Sequence, residues 1–149
     1  QPGAHLAVRC HPAETAEPYL RLAGDAANIS IAPAEVDLAS TLAVADLVVT
    51  VNSTVALEAM ALGVSALALN LPNYLSPFVE AGVMLGAASP SAVGPVLLPF
   101  LRDPSAQTAL RARQQAFMAE YGMLPTGQAA PGAVRVVLDL ARRTGRVLG

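Results

Sequence analysis

The 149-residue chain has no lysine, no tryptophan, a single cysteine, few aromatic residues (4%) and few charges (13%). Cys10 has no second cysteine to pair with, so an internal disulfide is impossible, and a small buried thiol in a reducing, cytoplasmic setting is expected. All nine cations are arginines, the net charge is −2, and no basic stripe interleaves with aromatics. Nucleic acid is therefore not an expected partner. No Asp-x-Asp and no His/Cys/Asp/Glu cluster with metal-ligand spacing occurs, so the expected chemistry needs no metal and no cofactor. Long uninterrupted apolar runs are missing too. From Ala59 to Val79 no residue is charged, but Gly63, Asn70, Pro72, Asn73 and Pro77 cut that stretch into pieces too short to span a membrane. The opening Gln1-Pro2-Gly3 lacks an initiator Met and a basic leader, which reads as an internal cut rather than a signal peptide.

What the chain does have is apolar side chain, 54% of its residues. This fits one domain in which helices cover both faces of a sheet. Strand-like runs at 4–10, 28–32, 47–51, 65–69 and, more weakly, 83–87 alternate with helical patterns at 13–23, after Asp37, and from Ser53 to Gly63. Helices follow at 91–101, 104–121 and 131–143. The βαβα rhythm predicts an α/β, Rossmann-like, doubly wound and mostly parallel sheet. Phe100, Phe117, Val136 and Leu140 are its core candidates at the carboxyl-terminal end, and the arginines at 111, 113, 142, 143 and 146 read as helix-end cations.

The informative stretch is LVVTVNSTVALEAMALGVSALALN, Leu47 to Asn70. A strand of mostly β-branched residues, expected to be buried on both faces, runs into Asn52-Ser53-Thr54, and Ser53 is a good N-cap for the helix that follows. The N–H groups of that first turn suit an anion. Val55, Ala59 and Leu62 should face the sheet, leaving Thr54 and Glu58, the helix's only charge, on another face. Their α-carbons are separated by roughly 6 Å along the axis, the scale of the step from a pyrophosphate to a ribose. Ligands of parallel sheets collect at the carboxyl ends of the strands. That rule groups His11, Ala32 with Pro33, Asn52 to Thr54, and the 70–74 loop as one candidate rim.

These residues resemble a known family. A strand ending in His11-Pro12, the Ala45–Gly63 core with its Asn-Ser-Thr and Glu58, the strand after it, and a tail with Tyr121-Gly122, Thr126-Gly127 and Ala129-Ala130 are similar to the carboxyl-terminal half of GT-B-type enzymes. Bacterial surface-polysaccharide glycosyltransferases and UDP-N-acetylglucosamine 2-epimerases are the nearest kinds. Ser65 departs from the proline usual in that family, and Thr126 from its aspartate.

The resemblance implies that Asn52, Ser53 and Thr54 bind the diphosphate of a nucleotide sugar and Glu58 its ribose. It implies that Ala32 and Pro33 lie where the base is held and that His11 is catalytic, facing the phosphates or sugar. Tyr74 and Phe78 would contact the sugar or a missing amino-terminal domain. It also implies that the whole enzyme works in the cytoplasm, with peripheral attachment to the inner face of the membrane, and that this part alone is inactive. A CDP-glycerol or CDP-ribitol phosphotransferase is an alternative within related folds. A non-catalytic receiver- or flavodoxin-like module is disfavoured, since there is no switch lysine and no Ser/Thr-rich loop after the first strand.

Overall fold

A computed structural model of the chain describes residues 3–123, 127 and 129–143. Gln1, Thr126 and Arg146, singled out above, lie outside the described residues. The chain has a mixed α/β, Rossmann-like fold of parallel strands. In order, it runs β1 (Leu6–Val8), α1 (Glu17–Ala23), β2 (Ile29–Ile31), α2 (Leu38–Ala43), β3 (Leu47–Thr50), α3 (Val55–Ala61) and β4 (Ser65–Leu69). Then come α4 (Ser76–Glu80), β5 (Leu85–Ala87), α5 (Pro90–Arg102), α6 (Pro104–Glu120) and α7 (Ala129–Arg143).

The strands form two ladders where one sheet was expected. β1 pairs with β2 from Leu6–Ile29 to Val8–Ile31, and β3-β4-β5 form the other ladder with β4 in the middle. The first ladder is only three residues long, and α1 behind it buries no residue. Little apolar packing therefore fixes its position, and no pairing extends it to β3 among the described residues. The same arrangement corrects which strand is covered on both sides. β3 is an edge of its ladder and leaves Val49 43% exposed, while β4, flanked by two strands, buries Ser65 to Ala68 completely.

Helix α3 is apolar except at Glu58, so its periodicity alone does not select a buried face. The face against the sheet is Ala56, Ala59 and Met60, and Leu62 stands 47% exposed. Two alanines let the helix backbone lie close to β4, which the bulkier Val55/Leu62 stripe does not allow. Gly63, at φ +77, ends the helix in a conformation that side chains resist. Asn70 (φ 57) turns the chain just past β4, a left-handed position that asparagine tolerates.

The main core joins Ala56, Met60, Ala66, Ala68, Leu75, Val83, Met84 and Met118, with Phe78 and Phe117 against it. A second, smaller cluster of Leu42, Ala59 and Val64 ties α2 to α3. Phe100 is buried as expected. Val136 and Leu140 are not: each is 56% exposed, because α7 makes no more than passing contact with the other elements. Helix α6 turns Leu110, Gln114 and Met118 inward at four-residue spacing, and neither polar atom of the Gln114 amide has a partner among the described residues. Arg113, on another face of α6, donates from Nε to the Gly82 carbonyl at 2.8 Å and pins the turn before β5.

Candidate functional site

The chain leaves the carboxyl end of β3 through Val51 and Asn52 and enters α3 at Thr54. The N-cap is Thr54, in helical conformation and without a side-chain cap bond, where Ser53 was expected. Ser53 still serves the turn from one residue further out, its hydroxyl accepting from the Val55 N–H at 3.2 Å. The Ala56 N–H donates to the Ser53 carbonyl (3.2 Å), and the Leu57 and Glu58 N–H groups donate to the Thr54 carbonyl (2.8 and 3.3 Å). The tightened turn therefore uses the N–H groups of Val55 to Glu58 internally. The donors left for an anion are the N–H groups and hydroxyls of Ser53 and Thr54, outside the helix proper.

Thr54 and Glu58 both lie on the exposed side of α3, opposite Ala56, Ala59 and Met60. Among the described residues Glu58 has no ion pair or side-chain hydrogen bond; the two ion pairs there are Arg21 with Glu17 and Arg142 with Asp139. Its carboxylate keeps all its acceptor positions for a ligand, and a pair of vicinal hydroxyls matches them.

Across from this turn, the loop after β4 is sewn to the loop after β3. Asn73 is the needle. Its Nδ2 donates to the carbonyls of Val51 (2.6 Å) and Leu69 (2.9 Å), and its Oδ1 accepts from the Leu75 N–H (2.8 Å). The Asn73 N–H donates to Ser76 Oγ at 2.8 Å, which starts α4, a short helix outside those expected. Asn52 completes the join, its Oδ1 accepting from the Tyr74 N–H at 3.2 Å. So Asn52 fixes the loop geometry with its carbonyl oxygen, and its NH₂ group has no partner among the described residues. Tyr74 is left 86% exposed beside it. Phe78 is differently placed: its ring meets Phe117 edge-on (5.7 Å, 72°) and packs against the main core while staying partly exposed.

His11 leaves the end of β1 in a tight turn. The Ala13 N–H donates to His11 Nδ1 (3.1 Å), so the ring proton of the neutral imidazole sits on Nε2. The His11 N–H donates to Glu14 Oε2 (3.1 Å) and the Glu14 N–H to the His11 carbonyl (2.8 Å). Glu14 also accepts from the Tyr19 hydroxyl at 3.0 Å. The His11 N–H, and after it the Tyr19 hydroxyl, hold the Glu14 carboxyl below the usual range, and the carboxylate in turn raises the Tyr19 hydroxyl. The imidazole orientation is thus set by the turn, with Nε2–H as an outward donor. Ala32 extends the β2 ladder by donating its N–H to the Val8 carbonyl (2.8 Å), and the Pro33 carbonyl accepts from Val36 (3.2 Å). Arg9 clamps this segment, donating to the Val36 carbonyl (2.7 Å) and Thr41 Oγ1 (3.1 Å).

The candidate residues thus form two groups. Asn52, Ser53, Thr54, Glu58 and Tyr74 gather at the β3–β4 edge, and His11, Ala32 and Pro33 at the β1–β2 edge. No hydrogen bond joins the groups among the described residues. Glu14 and Arg9 organise the site without having been singled out in the sequence, and Asn73 was noted there only as a breaker within the 70–74 loop. The spacings Asn73-x-x-Ser76 and His11-x-x-Glu14 carry a signal for two of them, since residues three apart can exchange side-chain and backbone hydrogen bonds reciprocally.

No protein-family model matches the chain, and no curated protein matches it either.

Proposed function

We propose that the chain is the donor-binding half of a GT-B-type glycosyltransferase, which transfers a sugar from a nucleoside diphosphate donor in cell-surface polysaccharide or glycolipid synthesis. The observation that carries this reading is the pairing, on the exposed side of α3, of unused Ser53/Thr54 donors with an unpaired Glu58 one helical turn further in. The first group suits a diphosphate, the second a ribose.

In the proposed reaction, the Ser53 and Thr54 N–H and hydroxyl groups stabilise the negative charge that grows on the diphosphate as the glycosidic bond breaks. Donors already oriented by the turn need no rearrangement at that moment. His11 adds its Nε2–H as a further donor toward the phosphates or the sugar. Ala32 and Pro33 border the base through backbone groups, and Tyr74 offers its ring to the sugar or to the absent amino-terminal domain. The acceptor site belongs to that domain, so the chain by itself binds donor without turnover. The proposed setting is the cytoplasm, with no metal taking part. Among the described residues no helix is long and apolar enough to cross a membrane.

Calorimetric titration with UDP, CDP and GDP tests the proposal. One of the three should bind, and Glu58→Ala should weaken it about tenfold or more, the scale of hydrogen bonds to a charged group. Absence of heat with all three at millimolar concentration, or equal affinity in the variant, contradicts it. Preference for CDP would move the assignment to a glycerol- or ribitol-phosphate transferase.

A further inference from the structure

Helix α7 is a long element that leaves much of its apolar side exposed among the described residues. Val134, Val136 and Val137 are each more than half exposed and Leu138 is 43% exposed. At about 100° per residue, Val136, Val137, Val134 and Leu138 share one broad apolar arc, and the charged residues fill the remainder. Arg142 and Arg143 stand at its two borders, while Arg135 and Asp139 lie between them on the polar side. Asp139 is 3.7 Å from Arg142, and neither Arg135 nor Arg143 has an ion pair among the described residues.

Charge is distributed unevenly between this helix and the body. α7 holds three arginines and one aspartate, whereas residues 3–123 hold five arginines and ten acids. A cationic helix with arginines at both edges of an apolar strip matches an anionic lipid surface. The strip enters the acyl boundary, and the guanidinium groups reach back to the phosphates along their own aliphatic stems. A second copy of α7 offers no such match, because it brings arginines to arginines with its single aspartate already engaged. At 15 residues the helix is about 22 Å long, shorter than the hydrocarbon core of a bilayer, so it fits lying in the interface rather than crossing.

We infer that α7 is an interfacial membrane-docking helix that recognises anionic phospholipid. This does not rest on the nucleotide-binding proposal, since it uses neither the β3–β4 edge nor His11.

Flotation of the 149-residue chain with phosphatidylcholine vesicles, with and without 30% phosphatidylglycerol, provides the test. Binding is expected on the anionic vesicles and should fall away in 0.5 M salt. Arg142→Gln with Arg143→Gln should weaken it about 25-fold, taking each arginine at an anionic surface as about fivefold. Val137→Asp, at an exposed position with no packing to lose, should abolish binding while circular dichroism stays unchanged. Equal binding to neutral and anionic vesicles, no binding to either, or full binding by Val137→Asp overturns the inference. So does a wild-type dimer that Val137→Asp converts to monomer without vesicle binding, which would assign the strip to a second copy. Nucleotide titration of Val137→Asp separates the two proposals: donor affinity should be untouched.

Discussion

Glu14 and Glu58 are both exposed carboxylates near strand ends, and the difference in their partners explains their different use. Glu14 is consumed by the His11 turn, accepting from a backbone N–H and a tyrosine hydroxyl; Glu58 is left bare. Asp37 and Asp103 behave like Glu14. Asp37 is held low first by the Ser40 hydroxyl and then by its N–H, and Asp103 first by the Ser105 hydroxyl and then by the Ala106 N–H. Each of these three carboxyls titrates lower folded than unfolded. Their stabilisation is therefore complete above the unfolded values, about pH 4, and is lost as pH falls through the folded ones. The urea midpoint should stay level above about pH 5 and drop below pH 4. In a variant with Glu14→Gln, Asp37→Asn and Asp103→Asn that drop should be shallower. An unchanged acid slope would show that these hydrogen bonds do not matter to folding.

Among the elements, β5 is closely approached by its neighbours at one residue. A Cβ at Gly86 would come within 2.6 Å of both Leu71 Cδ1 and Val79 Cγ1, with Val79 Cγ2 at 3.2 Å. Leu71 can rotate away, but Val79 is stiff at its first side-chain torsion and sits in α4 against the core. Gly86→Ala should cost about 1–3 kcal/mol of stability by overpacking, measured as a lower urea midpoint with unchanged slope. A neutral result would mean that α4 rides loosely on β5. Helix α3 shows the limit of pattern reading at this scale. Its N-cap was read one residue early, but its end at Gly63 was legible, and so was the exposure of Glu58. Its buried face was not, because seven of its eight residues from Val55 to Leu62 are apolar and close packing, rather than periodicity, chooses the alanines. For α7 the apolar pattern was legible as a helix and misleading as a core.

At the level of the whole molecule, alternating strands and helices were enough to give the α/β class and the parallel pairing, since crossover connections allow little else. The division into two ladders was not legible. It depends on how much apolar surface covers three-residue strands, and local pattern does not carry that quantity. The candidate site divides along the same line. Strand-end residues such as Asn52, Ser53 and His11 follow from topology, while the bonds that Asn73 and Arg9 make across 22 and 27 residues of sequence form only once the loops have met. The proposed donor site depends on Ser53 and Thr54 receiving a diphosphate one helical turn before Glu58. Amide chemical shifts of the ¹⁵N-labelled chain, followed as UDP, CDP and GDP are added in turn, test it most directly. With the nucleotide that binds, the largest displacements are expected at Ser53, Thr54 and Glu58, with smaller ones at Asn52 and Tyr74. Displacements absent with every nucleotide, or centred away from the β3–β4 edge, would contradict it.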